Sequence, residues 1–296
     1  MSRHIENGMI NETIDLILFP SSYFSLDRPD EDLQTEYDAA FATGLFDVVL
    51  FGYDKWFQEG ELIVKNAPEE RRLAVHCGWM MRPDQYEAFY EKLLEQNIDL
   101  ITTPKEYALM HVFPNVHACF GDDTARMLTF PLHERIDVEL LKKHFDRFMV
   151  KDYVKSVKGT EFPAYFDASI TQDELDRWME VFYKYRGSLL TGGICIKEWL
   201  PLKRYGGRTN EWRAFYVNHH LMTVSRNSGQ GNYASVVPME LVEKYANLDS
   251  VYYTVDFAEL EDGSFKVIEA GDGSVSGLSE GQDAEMYYRA LYHVLN

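Results

Sequence analysis

The residues best able to do chemistry concentrate near the C-terminus, in the stretch YYTVDFAELEDGSFKVIEAGDGSVSGL, residues 252–278. Asp262-Gly263 predicts a two-residue hairpin turn, because glycine tolerates the positive φ such a turn demands. Counting outward from that turn, Glu261 faces Ser264 and Asp256 faces Glu269. Directly opposed residues on one face of a sheet have Cβ atoms roughly 4.5–5.5 Å apart. Two carboxylates that close repel each other unless a cation sits between them. Their apolar flanks, Val255 and Phe257 on one strand and Ile268 and Ala270 on the other, point to burial. Oxygen ligands with no His or Cys nearby suit Mg²⁺ or Mn²⁺. Asp272, three residues on and among glycines, is a candidate third ligand. The competing expectation is an exposed hairpin whose acids simply face water.

A second hairpin, EWRAFYVNHHLMTVSRN, spans residues 211–227. A two-residue turn at Asn218-His219 or at His219-His220 places Glu211, Arg213 and Arg226 on one face, and only a three-residue turn breaks that parity. Two guanidinium groups beside a carboxylate suit a polyphosphate or a developing oxyanion, with the glutamate holding one arginine in place. A surface salt-bridge ladder would use the same residues. Lys151 lies at the centre of the apolar strand FMVKDYV, where a lysine either snorkels from an edge or points its charge into a site. Lys155 and Lys158 follow it, beside Gly159. In GGICIKEWLPL, residues 192–202, Glu198 ahead of Trp199 and Leu200 either edges a base pocket or pairs with Lys197. No GxGxxG, GxxxxGK[ST], HExxH or GxSxG pattern is present, and the three cysteines lack CxxC spacing.

The elements that must position these residues fall into two textures. Ile14–Phe19, Phe46–Phe51, Leu73–Val75 and Ile98–Ile101 read as buried strands, and Tyr86, Phe89, Tyr90, Leu93 and Leu94 share one helix face. This rhythm predicts a small α/β layer with parallel pairing over about residues 12–115. Beyond residue 135 come a helix at 136–145, the lysine strand, and a helix opened by the capping box of Thr171 and Glu174, with Gly187 as its stop. Strands at 193–200, 211–217, 221–226, 252–258 and 264–269 follow, then a closing helix over 282–295. With 46% hydrophobic residues and 296 residues in all, the chain can bury a large core. Its net charge of −19 disfavours nucleic acid and anionic membranes as partners. The N-terminus, Met1–Glu12, lacks the apolar core of a signal peptide, no window reaches the ~18 apolar residues of a membrane span, and the cysteine usage fits a reducing cytoplasm.

Taken in order, these motifs resemble the ATP-grasp superfamily. They are a lysine strand (FMVKDYVKSVKG), a hinge strand (IKEWLPL), an ExR strand (EWRAF) and a final Asp-then-Glu pair (VDFAELEDGSFKVIEAGDG). The likeness is to a bacterial and phage branch in which KDYVKS and an E-x-G-D-G ending recur. The resemblance implies an α+β fold: an α/β pre-domain at 1–115, then an ATP-grasp domain at 116–296, with a central subdomain at about 135–200 and a C-terminal one at 201–296. It implies that Lys151, with Lys155 or Lys158, contacts the ATP phosphates, and that Lys197, Glu198, Trp199, Leu200 and Glu211 belong to the nucleotide site. Arg213 and Arg226 would address the γ-phosphate or the acceptor, and Asp256, Glu269 and Asp272 would hold Mg²⁺. The implied activity is ADP-forming ligation of a carboxylate to an amine through an acyl phosphate, on a small molecule or peptide, in a cytoplasmic enzyme that could form a homodimer. The alternatives are a kinase acting on a hydroxyl, an RNA-end ligase and a non-catalytic nucleotide-binding module. The sequence departs from the superfamily at Gly271, which stands where many members carry Asn, and in the few glycines between Lys158 and Asp167.

Overall fold

The computed structural model describes residues 13–157 and 159–296. The first twelve residues, expected to carry no signal peptide, and the candidate Lys158 lie outside that range. Three main sheets follow one another along the chain, and the protein is α+β as expected. In the first, Asp47–Phe51, Leu16–Ser22, Arg72–His76 and Ile98–Leu100 lie side by side and pair in parallel. Ser25–Pro29 folds back antiparallel on the end of the first of them in sequence. The helix Pro83–Leu94 buries Tyr86, Phe89 and Leu93, the face its spacing predicts. Among the described residues no helix is long and apolar enough to cross a membrane.

The second sheet is antiparallel, in the order Met127–Phe130, Ile194–Glu198, Arg147–Asp152, Phe166–Asp167. One of its faces, bearing Phe148, Val150, Ile194 and Ile196, is sealed by Leu141, Leu175, Met179 and Phe182 from the helices Val138–His144 and Gln172–Arg186. Alternation along a strand therefore sends Lys151 and Lys197 out of the opposite face. The capping box of Thr171 and Glu174 and the stop at Gly187 are present as expected. The edge strand Met127–Phe130 has no counterpart among the expected elements; its four residues are too few to carry a periodic signal.

The third sheet, also antiparallel, runs in the order His220–Arg226, Glu211–Val217, Tyr252–Glu259, Phe265–Asp272. Each of its faces is buried against a different neighbour. Phe215, Val217 and Tyr252 join a core with Ile17 and Phe19 of the first sheet and with Tyr287 and Leu291 of the closing helix Ala284–Leu295. On the other face, Trp212, Tyr216, Tyr253 and Phe257 meet Met110, Phe113, Val116 and Phe120. Those last residues come from the helices and turns between Pro104 and Asp123, which straddle residue 115 and pack on the C-terminal sheet.

One buried ion pair organises the start of the lysine loop. The Asp152 carboxylate, completely buried, takes a fork from Arg186 at 2.8 and 2.7 Å. It also accepts the backbone N–H groups of Val154 (2.8 Å), Lys155 (2.6 Å) and Thr191 (3.4 Å). Removing one partner of such a pair leaves an uncompensated charge in a low-dielectric interior. Asp152→Ala is expected to lower stability by about 3 kcal/mol, read as a shift in the denaturant midpoint; a change under about 0.5 kcal/mol, the size of an ordinary surface substitution, would contradict this role.

Candidate functional site

The opposed acids are in place, but two departures from the expected geometry cancel to put them there. Leu260 N–H bonds Ser264 O (2.7 Å) and Gly263 N–H bonds Leu260 O (2.9 Å), so the loop has three residues, with Gly263 at φ 87°. A three-residue loop alone would turn Glu269 to the far face. A bulge at Ile268 inserts one extra residue and restores the pairing of Asp256 with Glu269. The bulge also frees the Ile268 carbonyl, which accepts the Lys197 ammonium at 2.5 Å.

Asp256 is paired on its other side with Arg213, so Arg213, Asp256 and Glu269 form a row across three strands. The Arg213 guanidinium clasps Asp256 through Nε (2.8 Å) and Nη2 (2.7 Å), while Nη1 donates to Gly277 O (2.8 Å). Asn227 Nδ2 adds a longer contact to Asp256, at 3.4 Å. Burial pushes the Asp256 carboxyl up and Arg213 pulls it back part of the way. The residue that holds Arg213 is thus Asp256. Glu211, expected in that part, instead accepts the Thr209 hydroxyl at 2.6 Å.

Lys151 reaches across from the second sheet to Glu269, at 3.2 Å, with 9% of its side chain exposed. Lys197 lies beside it, and both ammonium groups face the ring of Phe113, at 5.6 and 4.3 Å from the centroid. Desolvation raises the Glu269 pKa, but Lys151, Lys155 and Lys197 outweigh it and hold the carboxyl down at about 2. Desolvation, aided by Lys151, pulls the Lys197 ammonium down to about 7.

Two expected site residues point elsewhere. A bulge at Met222, between the pairs Tyr216–Leu221 and Phe215–Thr223, reverses the parity of the outer strand even though its turn has two residues. Arg226 consequently stands opposite Trp212, on the face away from Arg213, with its guanidinium 4.8 Å from the Trp212 ring centroid. Asp272 is three residues from Glu269, so strand alternation puts it on the other face, opposite Tyr253. Its Oδ1 accepts the Ser274 N–H and hydroxyl, its Oδ2 is buried without a partner, and burial pushes its pKa to about 7. It does not join the pair as a third ligand.

At the hinge, Glu198 meets neither of its expected partners. It takes a fork from Arg126 (2.6 and 3.2 Å), while the Lys197 ammonium points to Ile268. Trp199 lies between Arg147, 5.4 Å from its centroid, and Tyr165, whose ring is 5.1 Å away. With Asp146, Asp167 and Pro201, these residues line an open hollow of about 440 Å³. Leu200 follows, half-buried, outside that lining.

The acidic row opens into a separate cavity of about 290 Å³. Its charged wall bears Lys155, Arg213, Asp256 and Glu269, and its other wall comes from Leu33, Gly78, Trp79 and Met80 of the N-terminal region. His111 also lines it, stacked 4.8 Å from Tyr107, and burial pushes its pKa down to about 4. His111, Phe113 and Asn227 carried no motif that would mark them; they arrive from elements remote in sequence. Among the described residues no cluster of three acidic, His or Cys side chains is preformed for an ion. Asp256 and Glu269 fit a hard cation as a pair of carboxylates that leaves the other positions to oxygens of a bound ligand, which is how Mg²⁺ is usually held beside phosphates.

The profile of an ATP-grasp domain, the third family of its clade, matches residues 142–291. No curated protein matches the sequence. Among solved structures, D-cycloserine synthetase DcsG is 15% identical with a TM-score of 0.60, covering 95% of this chain and 100% of its own. The ATP-grasp ligase PsnB, solved with a minimal precursor, Mg and ADP, is 12% identical at a TM-score of 0.58, covering 96% and 99%. D-alanyl-alanine synthetase A from Vibrio cholerae O1 biovar eltor is 12% identical at 0.57, covering 97% and 99%. At such identities these likenesses concern the fold, whereas the profile spans just over half of the chain and takes in the lysine strand, the hinge strand and the whole acidic row. The chain belongs to the ATP-grasp superfamily.

Proposed function

We propose that the protein is a Mg²⁺- and ATP-dependent ligase that joins a carboxylate to an amine through an acyl phosphate, releasing ADP. The observation that carries this reading is the row Arg213–Asp256–Glu269 facing Lys151 and Lys197 across one cleft. Lys151 and Lys197 would bind the phosphates, with Lys155 and Lys158 as further contacts. Glu269 and Asp256 would hold Mg²⁺, whose charge neutralises the leaving diphosphate. Arg213, fixed by Asp256, would face the transferring γ-phosphoryl group. The hinge at Glu198, Trp199 and Leu200 would take the adenine. In the first step a substrate carboxylate oxygen attacks the γ-phosphorus and the bond to the β-phosphate oxygen breaks, giving ADP and an acyl phosphate. An amine then attacks the acyl carbon and inorganic phosphate leaves, with loss of one amine proton. Neither step calls for a protein nucleophile, and the two buried cysteines are poorly suited to be one. Burial raises both thiols, Cys195 to about 12.

Hydroxylamine, supplied as the amine, traps an acyl phosphate as a hydroxamate. Incubation with ATP, Mg²⁺ and a panel of carboxylic acids is expected to give hydroxamate and ADP together. ADP with a phosphorylated acceptor and no hydroxamate would turn the reading to phosphoryl transfer. Glu269→Gln and Arg213→Gln are expected to lower ADP formation by about 100-fold or more, whereas Arg226→Gln, on the far face, stays within about threefold. An equal loss in Arg226→Gln would contradict the parity reversal at Met222.

Lys197 supplies a pH signature. Its pKa is about 7 in the fold and near 10.4 in an unfolded chain. Between those values the unfolded state binds more protons, so stability rises with pH over that window. A bound polyphosphate acts oppositely, because it favours the charged ammonium. At pH 8, ATP binding is therefore expected to take up about one proton, seen as a binding heat that depends on the buffer's ionisation enthalpy. Lys197→Met should abolish the dependence; no buffer dependence in the wild type would remove Lys197 from the phosphate site.

A further inference from the structure

The cavity beside the acidic row is divided by polarity. Every charged residue that lines it stands on one side: Lys155, Arg213, Asp256 and Glu269. The N-terminal side contributes Leu33, Gly78, Trp79 and Met80, and His111 between the two is neutral at pH 7 because burial holds its pKa near 4. The apolar side is itself a built surface. Asp30 accepts the Trp79 indole N–H at 3.3 Å through Oδ2 and the Asp32 N–H at 3.0 Å through Oδ1, and its carbonyl accepts the Leu33 N–H at 3.1 Å. One residue thus sets both Leu33 and Trp79. Gly78 N–H bonds Ser274 O at 2.9 Å, which ties this wall to the segment that follows the Glu269 strand. Met80 completes it with 38% of its surface exposed, unusually open for so apolar a side chain beside a cavity.

We propose that the carboxylic acid activated at this site carries an apolar, residue-sized side chain that seats against Leu33, Trp79 and Met80, so that the substrate is an apolar amino acid or a peptide ending in one. This inference rests on the ligase reading and adds a substrate class to it. The charged side receives the carboxylate and phosphates, and the apolar side receives the body of the acid. A cavity of about 290 Å³ fits a group of that size. A charged or amide side chain placed against the same wall would lose its hydration without gaining a partner. Asp30 acts as a positioning residue, through Trp79 and Leu33.

The test is calorimetric binding to the full-length protein holding Mg²⁺ and a non-hydrolysable ATP analogue. N-acetyl-L-leucine, its near-isosteres N-acetyl-L-asparagine and N-acetyl-L-aspartate, and free L-leucine serve as probes. N-acetyl-L-leucine is expected to bind about tenfold or more tightly than either isostere, and Met80→Glu, at an open position, should erase that preference while leaving the affinity for the ATP analogue unchanged. Comparing N-acetyl-L-leucine with L-leucine separates a peptide end from a free amino acid. Asp30→Asn is expected to weaken N-acetyl-L-leucine binding without affecting the ATP analogue. Equal affinity for all side chains, or no binding of any probe, would overturn the inference. Hydroxamate formation is scored in parallel. Side-chain preference without hydroxamate would overturn the ligase reading and leave the apolar seat standing, and hydroxamate without preference would do the reverse.

Discussion

Lys151 and Glu269 meet across a cleft between two sheets, 118 residues apart in sequence and 3.2 Å apart in space. Each charge is costly to desolvate alone, and the attraction between them offsets that cost only because the geometry is close. The balance is incomplete. Lys197 adds a second buried ammonium to the same carboxylate, with the Ile268 carbonyl as its hydrogen-bond acceptor, and its pKa falls to about 7 as a result. A chain with a net charge of −19 therefore contains a local concentration of cations at this cleft. An incoming polyanion completes a charge set that the protein leaves short, which is how a phosphate site gains affinity from groups already held in place.

The acidic pair was legible in the sequence because the turn signal Asp262-Gly263 lies close to it, and few residues intervene over which an error in register can grow. Even so, the loop is one residue longer than its signal indicates, and the Ile268 bulge returns the missing parity. The second hairpin has the turn its sequence predicts, with Asn218 and His219 both at positive φ, yet an uncompensated bulge at Met222 sends Arg226 to the opposite face. Bulges leave no mark in hydrophobic alternation when both faces of a sheet are buried, as they are here. Asp272 is a different matter: its odd spacing from Glu269 already placed it on the other face. The parallel first sheet and the capped helix after Thr171 were legible because their residue patterns are local.

What the sequence could not supply are contacts made by distant segments. Arg186 reaches Asp152 from the end of a helix thirty-four residues later, and the motif KDY gives no hint of that partner. Phe113 stands under both lysines because the turns from Pro104 to Asp123 cross onto the C-terminal sheet, and this crossing has no signature in composition. Asn227 approaches Asp256 only because the strand carrying it is displaced by the Met222 bulge.

These long-range contacts also join the two sides of the cavity mechanically. The segment after Glu269 turns at Asp272 and packs Gly273 against Tyr252 so closely that a Cβ there would lie 2.5 Å from the ring. From that turn, Ser274 O accepts Gly78 N–H, Leu278 N–H reaches Glu36, and Gly277 O accepts Arg213. Arg213 in turn fixes Asp256. A displacement of the apolar wall would therefore travel through two hydrogen bonds to the guanidinium and one more to the carboxylate. Substrate seating and the geometry of the charged row are parts of one hydrogen-bonded frame, and neither can be altered far without the other.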